Sequence, residues 1–158
     1  LDGSGGLDGS GGLGRERAWP ELPRAPDLTL FRDTVATLRL VPREEEIDPA
    51  HFGRVRSGTD AAKLIGLGAG AMVVGVALGV AAGGRIGEDT IVFDADLIAD
   101  ERAEGVANII KAGTGEATMM ARCTGKTNLH NIEPEDLRAL TLATSASTGI
   151  PVAGMRPA

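Results

Sequence analysis

The clearest pattern of apolar and polar positions lies between Gly53 and Gly84, where GRVRSGTDAAKLIGLGAGAMVVGVALGVAAGG reads as loop, helix, strand, then Gly-rich loop and helix. A helix is predicted through Ala61–Leu67, capped by Thr59 or Asp60 and ended by Gly68 and Gly70. Ala71–Val74 reads as a short apolar strand, with Gly75 allowing the chain to turn at once into a Gly-rich loop and helix. This αβα rhythm belongs to proteins with a parallel sheet and predicts the α/β class.

Further along, apolar residues Leu97, Ile98, Val106, Ile109 and Ile110 predict a helix over about Ala95–Ala112. A second helix is expected over about Thr114–Cys123, with Thr114 as cap and Glu116 in the first turn. A third is expected over Glu133–Ser147, with Pro134 at the first position, Leu137 and Leu140 facing inward, Glu135 and Asp136 exposed, and Gly149 and Pro151 as stops. Upstream, Pro20, Pro23, Pro26, Pro42 and Pro49 interrupt residues 15–52. They leave room for one helix, capped by Asp27 and carrying Leu30, Phe31, Val35 and Leu38. Arg43–Glu46 reads as a solvated charge run. Residues 1–14 hold LDGSGG twice and read as a flexible Gly-rich linker or as the remnant of a loop.

Leu64–Gly83 contains no charged residue and holds Gly75 and Gly79 at a small-residue spacing, so a membrane helix is the rival of the αβ reading. Its density of Gly and Ala lowers the expected insertion energy, and a membrane role is the less favoured one.

Composition narrows the function classes. Sixteen Lys and Arg stand against 22 Asp and Glu, a net charge of −6, and aromatic residues make up 3%. Nucleic acid is therefore not an expected partner, since its readers use basic patches and stacking aromatics. Cys123 is the single cysteine, so the chain alone can form neither an intrachain disulfide nor a four-cysteine cluster site. With His51 and His130 as the only histidines, metal chemistry is not expected. Cys123 reads as a small buried hydrophobe and His130 as a structural or capping residue. The start lacks a basic segment followed by an apolar one, and a reducing cytoplasm is the expected location.

Two motifs fail on spacing. Gly66-x-Gly68-x-Gly70 follows a helix rather than a strand, which weakens a dinucleotide reading. Gly125-Lys126-Thr127 looks like the end of a phosphate loop, but Met120 stands where its first glycine belongs.

Arg56-Ser-Gly-Thr-Asp-Ala-Ala-Lys-Leu-Ile-Gly-Leu-Gly-Ala69 followed by Ala71-Met-Val-Val-Gly75 resembles the last strands of flavin-dependent (β/α)8 barrels. There the loops after strands seven and eight hold a phosphate on backbone N–H groups. Cys123-Thr-Gly-Lys-Thr-Asn-Leu-His-Asn-Ile-Glu-Pro-Glu-Asp-Leu-Arg-Ala-Leu140 with Thr148-Gly-Ile-Pro-Val-Ala-Gly154 is similar to the C-terminal tail of the flavin domain of the glutamate synthase large-subunit family. LDGSGG resembles the start of a flavin-facing loop of that family, without its Thr-Gly-Ala continuation.

The resemblance implies a partial (β/α)8 barrel over residues 53–158, made of its last strands and C-terminal helices. It implies FMN as cofactor, with Gly53, Arg54, Val55, Arg56, Gly75 and Val76 at the phosphate end. The activity implied is reduction of an imine to a glutamate-like amino acid, by an oxidoreductase that associates with other glutamate-synthase-type subunits or with itself. No residue stands out as acid or base. Four departures bear on this. A barrel takes about 250 residues. Arg54 replaces a family glycine. Pro49 is awkward in a central strand. Residues Gly83–Asp89 lack the cysteines that bind the family's iron–sulfur cluster, so no such cluster is expected from this chain. A truncated, inactive structural or assembly piece is the alternative from another class, and a small membrane-associated protein a third.

Overall fold

The computed structural model describes residues 28–41, 46–88, 90–96 and 98–155. The LDGSGG repeats, Asp27, Arg43–Glu45 and Leu97 lie outside the described residues.

Helix α1 (Leu28–Leu40) buries Phe31 and Val35, with Leu38 half-buried one turn on, as the spacing predicts, whereas Leu30 is exposed. Strand β1 (Ala50–Phe52) leads through a loop into α2 (Gly58–Gly66), and strand β2 (Ala71–Val73) follows. The two strands pair in parallel, with Ala50 opposite Ala71 and Phe52 opposite Val73. Pro49 does not obstruct β1, because it stands just before the first paired residue and offers its carbonyl to the Gly70 N–H at 3.0 Å. The strand–helix–strand unit is α/β in class, and the run Leu64–Gly83 is broken into the end of α2, β2 and the short α3 (Val76–Ala81). Among the described residues no helix is long and apolar enough to cross a membrane.

A small antiparallel pair, β3 (Arg85–Ile86) with β4 (Ile91–Val92), precedes α4 (Ala99–Cys123). Helix α4 is one continuous helix where two were expected. Thr114 does not cap a second one; its hydroxyl donates back to the Ile110 carbonyl at 2.8 Å. The glycine at 113 is used for contact instead. A Cβ on Gly58 would lie 2.0 Å from the Gly113 carbonyl oxygen and 2.7 Å from the Ala117 nitrogen, so α2 and α4 touch backbone to backbone.

The expected helix over Glu133–Ser147 is also corrected. A 3-10 turn at Pro134–Asp136 gives way to extended backbone at Leu137, and α5 (Leu142–Thr148) begins only after Thr141, whose side chain caps it. The break has a cause: Ala139 forms a parallel bridge with Val152, its N–H donating to the Pro151 carbonyl at 2.9 Å. Leu137 packs inward and Glu135 is exposed, as predicted, whereas Asp136 is half-buried beside Lys126 at 3.5 Å and Leu140 is 85% exposed.

The main core joins Phe31 and Val35 of α1, Val55, Leu64 and Leu67 of the α2 region, Ala69, Ala139 and Ile150, with Met72 and Val74 against it. Arg32 ties this core together at its rim. Its Nη1 donates to the Leu67 carbonyl at 2.6 Å and its Nε to the Thr148 carbonyl at 3.1 Å, so one cation serves the carboxyl ends of α2 and α5. A second cluster of Ala62, Ala121 and Ile132 fastens α4 to α2.

Candidate functional site

The parallel register of β1 and β2 sends both strands out of the sheet at the same end. Neighbouring strands stand about 4.8 Å apart, so Gly53–Arg56 leaves beside the chain that continues through Val74 to Gly75 and Val76. The six residues expected at a phosphate end thus lie on two adjacent strand exits, each followed by a helix.

The exits differ in what already occupies them. After β1, Gly53 is buried, Arg54 is exposed, and Val55 turns its side chain into the main core. Arg56 is held by its own helix: its N–H donates to Asp60 Oδ2 at 3.2 Å and its Nε lies 3.6 Å from the same oxygen. Ser57, not Thr59 or Asp60, caps α2, its Oγ accepting from the Asp60 N–H at 3.2 Å. Glu116 of α4 reaches the same helix end. It accepts from the Gly58 N–H at 2.8 Å and from the Thr59 hydroxyl. The Thr59 hydroxyl, supported by the Gly58 and Thr59 backbone and Lys63, holds the Glu116 carboxyl below its usual range against the opposing effect of desolvation. After β2 the arrangement is sparser. Gly75 stands at the amino end of α3 with no side-chain cap, and Val76 is the first helical residue.

A flavin phosphate therefore fits these residues in part. Gly53 and Gly75 carry no side chain to bar an approaching anion. Arg56 and Gly58 direct their N–H groups to carboxylates of the protein itself.

Directly behind the first exit lies His51, which the sequence marks only as a possible metal ligand. It is 5% exposed and packs edge-on against Phe31 with ring centroids 5.3 Å apart. Burial pushes its pKa down, with a backbone hydrogen bond at Gly53 acting the other way. The signal available in the sequence was the period-two alternation of a strand at 50–52, hidden by Pro49.

Other candidates lie elsewhere. Cys123 is exposed rather than buried, because α4 turns it away from the second cluster. His130 is exposed on a 3-10 turn, and the cap there is Asn128, whose Oδ1 accepts from the His130 N–H at 3.0 Å. A shallow cleft of about 170 Å³ is lined by Val35, Leu38, Arg39, Ile47, Pro49 and Gly68. Ile47 and Pro49 precede β1 and Gly68 precedes β2, so the cleft opens at the sheet end opposite the two exits. Among the described residues no group of three or more His, Cys, Asp or Glu is placed to hold a metal ion.

No protein-family model matches the chain, and no solved structure matches it. A glutamate synthase large subunit-like protein of Rhizobium meliloti (strain 1021) is 34% identical over 158 aligned positions, covering 82% of this chain and 36% of that protein. The chain thus spans about a third of the length of the curated relative it matches. Its sequence is a partial, glutamate-synthase-like one, similar to a stretch of that protein.

Proposed function

We propose that this chain is the phosphate-end portion of an FMN-binding oxidoreductase of glutamate synthase type, incomplete by itself. The observation that carries the reading is the parallel strand–helix–strand unit, with two Gly-bearing exits at one end, in a chain similar to a glutamate synthase large subunit-like protein. In this reading Gly53, Arg54, Gly75 and Val76 lie at the phosphate end. Val55 anchors the first loop in the core, and Arg56, fixed by Asp60, sets the loop's path into α2. When bound, the flavin supplies the hydride chemistry for forming a glutamate-like amino acid from an imine. The chain's own part is to bind and orient. The (β/α)8 barrel, the cytoplasmic setting and association with further glutamate-synthase-type subunits belong to the same proposal.

The test compares FMN with riboflavin, which lacks the phosphate. Fluorescence titration of the chain should show weak binding of FMN and binding of riboflavin weaker by roughly tenfold, the cost of one lost charge-assisted contact. Equal affinities would remove the phosphate-end assignment.

A second reading, an inactive structural or assembly piece, is favoured by one observation. The Arg56 and Gly58 N–H groups at the first exit are already taken by Asp60 and Glu116. No FMN binding at any concentration, alone or with added glutamate-synthase-type subunits, would select it.

A further inference from the structure

The period-two alternation of β1 runs on past its last paired residue. His51, Gly53 and Val55 are buried, while Phe52, Arg54 and Arg56 are exposed. The inward stripe is thus an imidazole, a bare backbone and a valine. His51 is 5% exposed, lies opposite Met72 in the register and sets its ring edge-on to Phe31 at 5.3 Å. An apolar side chain would serve that packing as well, without the cost of enclosing polar nitrogens. What the imidazole adds is a hydrogen bond to the Gly53 backbone. That bond favours the protonated ring, so the ring donates and the Gly53 carbonyl accepts. Gly53 itself stands at φ 155°, a backbone conformation that residues with a Cβ rarely adopt.

We propose that His51 is a positioning residue of the first strand exit: from inside the core its ring N–H holds the Gly53 carbonyl and so sets the direction of the Gly53–Arg54 peptide. The atoms of a peptide unit share one plane, with carbonyl and N–H on opposite sides in the trans form, and none of the described peptides is cis. Drawing the Gly53 carbonyl inward therefore turns the Arg54 N–H away from the core. Glycine's wide conformational range leaves the direction of this peptide open, and the ring closes that choice. Val55 and Arg56 are fixed further along the loop, by the core and by Asp60. His51 fixes the residue before them, where a flavin phosphate would first meet the backbone. The inference rests on the proposed function for the phosphate, and not for the hold on Gly53.

The test measures FMN and riboflavin affinities of the purified protein by fluorescence titration, in the wild type and in variants of His51. His51→Leu keeps an apolar packing volume and has no donor. His51→Asn and His51→Gln keep an amide N–H near the positions of Nδ1 and Nε2. His51→Leu should cut the preference for FMN from roughly tenfold to about twofold, and one of the amide variants should restore it. A purely structural histidine would weaken both ligands alike and leave their ratio. Nitrogen NMR of the wild-type rings above pH 6.5 gives a readout that needs neither flavin nor a folded variant. His51 should hold a single neutral tautomer with a slowly exchanging N–H, whereas the exposed His130 should average between two. An unchanged ratio in His51→Leu, a ratio that neither amide restores, or a His51 ring averaging between tautomers would each overturn the proposal. Equal wild-type affinities for FMN and riboflavin remove the proposed function instead, and with it the phosphate role of His51, while a single tautomer still establishes the hold on Gly53.

Discussion

The two faces of the β1–β2 pair carry opposite fates within the same few residues. On one face His51 and Met72 lie against Phe31, Val35 and the α2 side chains, and a titratable ring is enclosed. On the other face Ala50, Phe52, Ala71 and Val73 meet solvent. Burying a polar ring costs free energy, and so does leaving a large apolar one wet. A sheet that accepts both has its register set by something stronger than the local preference of residues 51 and 52. That something is the α2 region, where Val55, Leu64 and Leu67 fix which face turns inward. A one-residue slip would exchange the two faces. The covered face explains why this chain folds, while the other leaves four apolar side chains exposed.

The sharpest way to break the comparison is to truncate one phenylalanine on each face. Phe31→Ala, on the covered side, should lower unfolding free energy by about 3 kcal/mol. Phe52→Ala should change it by less than about 0.5 kcal/mol in the chain alone. Urea titrations of the two variants measure this, and equal losses would mean that the second face is covered after all. The next effect is at the α2–α4 contact that positions the covered face. Gly58→Ala puts a methyl against the Gly113 carbonyl and the Ala117 nitrogen, both backbone atoms that cannot rotate away. A loss of about 2 kcal/mol is expected in the same titration. Ser57→Ala removes the α2 cap and should cost about 1 kcal/mol.

The smallest expected effect concerns pH. Burial lowers the His51 pKa in the folded chain from its ordinary 6.5. Between the folded value and 6.5 the unfolded chain binds the extra proton. Stability is therefore full above that range and declines as pH falls through it. Glu116, also depressed in the folded state, adds a separate loss below its ordinary 4.5. His51→Gln should flatten the first decline and leave the second, read from melting temperature against pH. An unchanged first decline would place its cause elsewhere.

How much of this was legible in the sequence varies by element. The α2–β2–α3 grammar and α1 were readable because their apolar spacing and Gly stops agree with the packing. Strand β1 was not, since three residues after a proline carry too little alternation to be seen. Helix α4 was read as two because Gly113 and Thr114 imitate a stop and a cap, and only the contact with Gly58 reveals their use. The Glu133–Ser147 stretch carries a valid helix start signal, but the Ala139–Val152 bridge outcompetes helix continuation. At the candidate site, the glycines of both exits were visible, while Glu116 closing the α2 end, 58 residues from Gly58, could not be.

The proposed function gives this chain the phosphate end of a flavin site and no more. The direct measurement is FMN fluorescence quenching by the purified chain, with its mass followed by light scattering. The expected result is weak, unsaturated binding, because a tight site buries most of its ligand and the exits offer only its phosphate end. Stoichiometric, submicromolar FMN binding by a monomer would contradict the account.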